Sequence, residues 1–255
     1  MIGAIRMVQR NALVYRRVWR GSVFSSFLQP TLFLLAMGVG LGAMIDPRVA
    51  ALPGGVNYLE FLAPGLLAAA AMQTATFEST YPVLGKMTWH HNYDAISATP
   101  MRTSDLVLGE LMWIAVRLAT VGTAFVLVMT VFGIPRSARV LMAVPATILT
   151  GLAFAAPVMA YAVTRKNSGT FNVLYRFGVT PMFLFSGVFF PITRLPDTLQ
   201  RIAWGTPLFH GVELVRGVTL GQMSWLWLVH AGYLTGLIGI GIAAALRTFR
   251  RRLSA

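Results

Sequence analysis

Residues 105–133 read DLVLGELMWIAVRLATVGTAFVLVMTVFG. Apart from Asp105, Glu110 and Arg117 the run carries no charge, and it exceeds the roughly 20 residues that a helix needs to cross a bilayer. Backbone groups in lipid must be satisfied inside their own segment, so the run predicts a transmembrane α-helix. Working outward, comparable runs lie at 22–44, 58–84, 139–163, 170–190 and 224–246. With 105–133 they predict an all-α integral membrane fold of six transmembrane helices. The short alternating strands of an outer-membrane barrel are missing from the pattern.

Composition agrees with this reading. Of 255 residues, 56% are hydrophobic and 11% charged, and the mean hydropathy is +0.68, far from a soluble domain. Without cysteine there is no disulfide or thiolate chemistry. The net charge of +13 does not point to nucleic acid, because the basic residues crowd at the two ends, Arg6 to Arg20 and Arg247 to Arg252, beside apolar spans. Basic flanks mark the cytoplasmic side and contact anionic lipid headgroups, so both termini are predicted inside. The loops 85–104 and 164–168 then face the cytoplasm, and 45–57, 134–138 and 191–223 face outward.

Residues 1–21 predict an amphipathic interfacial helix. Ile5, Val8, Ala12, Tyr15 and Trp19 form its apolar face, and Arg6, Arg10, Arg17 and Arg20 lie opposite. No signal-peptide cleavage pattern follows, and the Arg16-Arg17 pair precedes a full-length span rather than a short apolar core. On the outer side, residues 189–218 break at Pro191, Pro196, Gly205 and Pro207 into pieces too short to span, which read as re-entrant or surface helices.

Charges inside the spans are costly and face protein or water. Glu78, Glu110 and Arg176 share a predicted depth of roughly 8–9 Å from the cytoplasmic helix ends, and Arg117 lies about 10 Å deeper than Glu110. One reading is a polar gate or a contact for an anionic headgroup, and the other is a structural ion-pair cluster. In the fifth span Phe171, Tyr175, Phe185 and Phe189 fall near one face, with either a pathway lining or ordinary packing as its role. His230 reads as a packed core histidine.

The stretches 61–110 and 185–217, with Leu-Ala-Pro-Gly at 62–65, Leu-Gly-Glu at 108–110 and Pro-Leu-x-His-x-x-Glu-Leu-x-Arg at 207–216, resemble the permease subunit of ABC-2 type exporters. Within that class the chain is similar to the nodulation lipo-oligosaccharide, daunorubicin-resistance and polysaccharide-export group. The resemblance implies a six-helix transmembrane domain over 22–255 that pairs with a second copy or a close paralogue and with two copies of a separate cytoplasmic ATPase. It also implies a bacterial cytoplasmic membrane setting, a coupling helix in the loop 85–104, and outer re-entrant helices over 191–218 marked by Pro207, His210, Glu213 and Arg216. The cargo implied is amphipathic: a lipid-linked or lipid-modified glycan, or a hydrophobic drug or polyketide.

A coupling helix must dock in a partner's groove, and Met87, Trp89, His90, Tyr93, Asp94 and Ile96 supply the large side chains with polar tips that interfaces favour. Pro100 stops this helix, and Ser104 or Asp105 is expected to cap the next. A metal site is a poor reading of His90 and His91, since adjacent helical residues diverge by about 100°. The fragment Gly85-Lys86-Met87-Thr88 lacks the upstream glycine of a phosphate loop. No cofactor is expected on this chain; ATP and Mg belong to the partner. Two other classes remain: a secondary transporter, for which only Arg117 and His230 lie deep enough, and a lipid-modifying enzyme, for which His90 and His91 are the candidates.

Overall fold

The computed structural model describes residues 2–41, 55–89, 92–97, 99–134, 138–222 and 224–253. Every long element among them is helical, and no strand occurs among the described residues. In chain order these are α1 (Ile2–Tyr15), α2 (Trp19–Phe33, continued by π-helical turns Leu34–Leu41), α3 (Tyr58–Leu84, continued by Gly85–Trp89) and α4 (Asn92–Ser97). There follow α5 (Thr103–Val131), α6 (Ala143–Val163), α7 (Gly169–Leu174, continued by Tyr175–Val179), α8 (Thr180–Phe185), α9 (Asp197–Trp204), α10 (Pro207–Leu220) and α11 (Leu226–Leu253).

Local signals explain several of these boundaries. Asn57 and Glu60 form a reciprocal capping box at the start of α3: Glu60 N donates to Asn57 Oδ1 at 2.8 Å, and Asn57 N to Glu60 Oε2 at 2.9 Å. Thr206 accepts from Phe209 N and Pro207 opens α10, while Gly221, at φ +73°, closes it in the left-handed conformation. The expected cap of α5 by Ser104 or Asp105 is not made. The helix begins at Thr103 with Arg102 in the cap position, which leaves Asp105 in the first turn where its charge favours the helix dipole.

By length and composition, Thr103–Val131, Arg139–Val163 and Leu226–Leu253 are apolar enough to cross a membrane among the described residues. α3 spans the whole predicted 58–84 run, with Gln73, Thr74, Thr76, Glu78, Ser79 and Thr80 diluting its apolar content. The 22–44 run is helical from Trp19 to Leu41, and 42–44 lie outside the described residues. The 170–190 run is divided among α7, its π-helical continuation and α8, with a non-helical bend after Phe185.

α6 is the hub, packed on α3, α5, α10 and α11. Its buried positions are mostly small: Ala146, Thr147, Thr150, Gly151, Ala153, Ala155, Ala156 and Ala160. Small residues let helix backbones approach without a large side chain between them. A Cβ at Gly241 of α11 would lie 2.6 Å from Pro157 N of α6. The Thr147 and Thr150 hydroxyls donate to Ala143 O and Ala146 O one turn back, so burial leaves neither donor unmade.

The bend at residues 186–190 folds back over the first turns of α3, helped by Gly187 at φ +80°. It passes so close that a Cβ at Gly65 would meet Val188 O at 2.9 Å and Val188 Cα at 3.0 Å. Because the obstacle is backbone, Gly65→Ala is expected to destabilise the protein by about 1–3 kcal/mol. Gly232→Ala, with nothing within 4 Å of its would-be Cβ, is the matched control. Thermal unfolding in one detergent separates the two, and equal melting temperatures would refute the close approach.

Candidate functional site

Of the charged side chains in the predicted spans, Glu78, Glu110 and Arg117 are paired, and they fall into two networks rather than one. The first centres on Glu110 of α5, which is 2% exposed. Lys86 Nζ donates to both its carboxylate oxygens at 2.7 Å, Tyr93 OH to Oε1 at 3.0 Å and Asn11 Nδ2 to Oε2 at 3.2 Å. Lys86 also donates to Asn11 Oδ1 at 3.3 Å. One carboxylate therefore ties α1, the extension of α3, α4 and α5 together, and a charge-assisted bond of this kind is about twice as strong as a neutral one. The second network pairs Arg117 Nε with Glu78 Oε1 at 3.1 Å. Arg117 Nη1 donates to Tyr15 OH at 2.6 Å, and the guanidinium sits 4.6 Å from the Tyr15 ring centre. Arg176 is exposed on the helical continuation of α7, away from both.

The amphipathic face predicted for α1 is displaced by one residue. Ala4, Met7 and Asn11 are the buried positions, whereas Ile5 is 49% and Trp19 46% exposed. α1 packs on α5, where Gly109 admits Met7: a Cβ on Gly109 would lie 2.6 Å from Met7 Cβ. That contact selects the 4, 7, 11 face in place of the 5, 8, 12 face. Arg10, assigned to the outer cationic side, instead lines a cleft beside Asn11, Tyr15, Lys86, Trp113 and Arg117.

The candidate coupling residues divide sharply. Tyr93 is fully buried, edge-on to Phe249 of α11 with ring centres 5.5 Å apart, and Met87 is 4% exposed. Both are therefore packed within their own chain and not offered to a partner. Ile96 is half-buried against the core, while Trp89 is 63% exposed. His90 lies outside the described residues, as does the side chain of Asp94. Of the expected helix, Gly85–Trp89 runs on from α3 and Asn92–Ser97 forms α4, with 90 and 91 outside the described residues.

Of the aromatics of the fifth run, Phe171 and Tyr175 share a face against Tyr81, whereas Phe189 lies in the bend beyond α8 and meets Phe183. Phe171 is fully buried, edge-on to Tyr81 at 5.3 Å. Tyr175 stacks on Tyr81 at 6.3 Å, Phe189 meets Phe183 edge-on at 4.9 Å, and Phe185 is 44% exposed. The wider π-helical turn at Tyr175–Val179 and the end of α8 at Phe185 break the phase that a straight helix would keep.

In the motif expected on the outer side, Pro207, His210, Glu213 and Arg216 all stand on α10 and reach different neighbours. His210 Nε2 donates to Trp204 O at 2.9 Å, so its Nδ1 accepts from His230 Nδ1 at 2.7 Å. Arg216 pairs with Glu213 at 2.9 Å, donates to Gly187 O at 2.8 Å and lies 3.9 Å from the Phe61 ring centre. The motif holds α10 against α3, the 186–190 bend and α11.

Sequence reasoning missed Lys86, Asn11 and Tyr15 as partners. In the sequence Lys86 stands in the phosphate-loop-like fragment 85–88, and Asn11 is the lone polar residue in the 4, 7, 11 series. That spacing was the available signal.

Residues 4–220 match the family described as ABC-2 type transporter. The chain belongs to that family. Nodulation protein J of Rhizobium leguminosarum bv. viciae is 33% identical over 245 residues, covering 96% of this chain and 93% of that protein. Nodulation protein J of Bradyrhizobium diazoefficiens is 34% identical over 245 residues, covering 96% and 92%. The inner membrane transport permease YadH of Escherichia coli is 22% identical over 208 residues, covering 81% and 78%. Every member of the two charge networks lies inside the region matched to the ABC-2 type transporter family.

In this ABC-2 type transporter chain, burial, the negative Glu110 and the hydrogen bond to it push the Tyr93 phenol well above its ordinary value of 10.0. Folding thus holds the proton more tightly than unfolding, and that contribution is full below pH 10.0 and is lost as pH rises beyond it. Wild-type protein is expected to lose stability as pH rises above 10.0, and Tyr93→Phe to start about 1 kcal/mol lower but lack this extra fall. Parallel melting curves over pH 8–11 for the two proteins would overturn the assignment.

Proposed function

We propose that the chain is the six-span permease subunit of an ATP-driven exporter in a bacterial cytoplasmic membrane, with both termini cytoplasmic. Two copies, or one with a close paralogue, pair with two separate ATPase subunits that bind ATP and Mg. The cargo is amphipathic, a lipid-linked or lipid-modified glycan or a hydrophobic drug or polyketide, and it moves outward between the two permease chains.

The observation that carries the reading is the Glu110 junction within an ABC-2 type chain. A push on α4 reaches Glu110 through Tyr93, and from there α5, the end of α3 through Lys86, and α1 through Asn11. Those helices would move as one body when a nucleotide-bound partner closes, because separating them exposes a buried charge pair. The test is co-purification in nanodiscs with the product of the neighbouring ATPase reading frame. A stable complex with cargo-stimulated ATP hydrolysis is expected. A chain that purifies alone and transports on an ion gradient would replace the exporter with a secondary transporter.

A further inference from the structure

We infer that the cleft between the α1–α2 junction and the α3–α5 pair binds the phosphate headgroup of an anionic membrane lipid. The inference rests on the membrane-embedded reading above and deepens it by naming the class of molecule that this crevice takes.

The cleft measures about 980 Å³, at the upper end of the roughly 300–1,000 Å³ of small-molecule sites. Its walls carry three cations, Arg10, Lys86 and Arg117, against one carboxylate, Glu78. Counting Glu110 behind Lys86, the site still keeps a positive surplus. Lys86 and Arg117 are engaged by Glu110 and Glu78, so the cation with capacity to spare is Arg10. Its Nη1 is buried with no hydrogen-bond partner. A desolvated guanidinium donor left unmade is costly, and a phosphate oxygen is the acceptor whose geometry fits its planar fork.

The walls also say what the phosphate is attached to. Tyr15 and Trp113, edge-on at 5.6 Å, give the cleft the amphipathic aromatic lining found at headgroup level. Arg117 borders a second cavity of about 120 Å³, lined by Pro30, Phe33, Leu66, Val121 and Phe125 together with the polar Ser26, Gln73 and Thr74. Cations in the walls of the first cleft, and aliphatic and aromatic side chains in part of the wall of the second, match a phosphodiester continued by the first carbons of an acyl chain. Free phosphate would use only the first of these.

The test uses the full chain in detergent and counts by native mass spectrometry the retained dioleoyl-phosphatidylglycerol against dioleoyl-phosphatidylcholine. Wild type is expected to retain the anionic lipid about tenfold more strongly, the worth of one charge-assisted hydrogen bond. Arg10→Gln should erase that preference, Arg10→Lys keep part of it, and Arg194→Gln, an exposed basic position outside both the cleft and the basic flanks, leave it unchanged. Equal retention of the two lipids, or equal effects of Arg10→Gln and Arg194→Gln, would overturn the site. Displacement of the lipid by millimolar inorganic phosphate would overturn the acyl contribution and leave a free-phosphate pocket. Association of the same variants with the ATPase is scored separately: lost lipid preference with intact association removes this site alone, and the reverse removes the motor alone.

Discussion

Lys86→Met is expected to destabilise the protein by about 4 kcal/mol, and Glu110→Gln by about 2 kcal/mol, although both break the same ion pair. The asymmetry follows from where each partner is left. Without Lys86 the Glu110 carboxylate remains 2% exposed with only Tyr93 and Asn11 to donate to it. Without the Glu110 charge, Lys86 stands at the wall of an open cleft, its side chain already 17% exposed, and water can reach the ammonium. The double substitution should recover most of the Lys86→Met loss, since a neutral pair of similar volume carries no stranded charge. Thermal melts of the four proteins in one detergent check this. A larger loss for Glu110→Gln, or simple additivity in the double variant, would mean that the network is not the junction described here.

The same network shows how far the sequence could be read. Helix positions were legible wherever a local signal met an apolar run: 58–84 is the helix α3, bounded by the Asn57 and Glu60 capping box. The intramembrane charges were legible as a class, since each is expensive in lipid. Their pairing was not, and the cause is specific. Depth was counted from a helix end at Leu84, but the helical path continues to Trp89. Glu78 therefore lies eleven residues from the end of that path rather than six, which brings it level with Arg117 instead of Glu110. The same extension carries Lys86 to Glu110. The face of α1 failed for a related reason. Periodicity alone fits the 4, 7, 11 and the 5, 8, 12 series alike, and only the close approach at Gly109 decides between them.

Trp89→Ala is expected to leave the fold nearly intact, within about 0.5 kcal/mol, and to weaken ATPase association roughly 30-fold, the effect of losing an interface hot spot. Trp89 is 63% exposed at the end of the α3 extension, so truncating it removes little internal packing. Tyr93→Ala differs in kind. Its ring is fully buried against Phe249 and its hydroxyl serves Glu110, so the change opens a cavity and strands part of a buried carboxylate's coordination. A cost of about 4 kcal/mol is expected from packing alone, enough to lower the yield of folded protein and mimic a loss of coupling. The double variant of Trp89 and Tyr93 would confound the two effects, whereas Trp89→Ala beside Tyr93→Phe keeps them apart. Pull-down of the ATPase and melting temperature, measured on the same preparations, give the decision. If Trp89→Ala binds the ATPase like wild type, this exposed ring is not the handle, and the docking surface must be sought on other exposed residues near the α3 extension and α4.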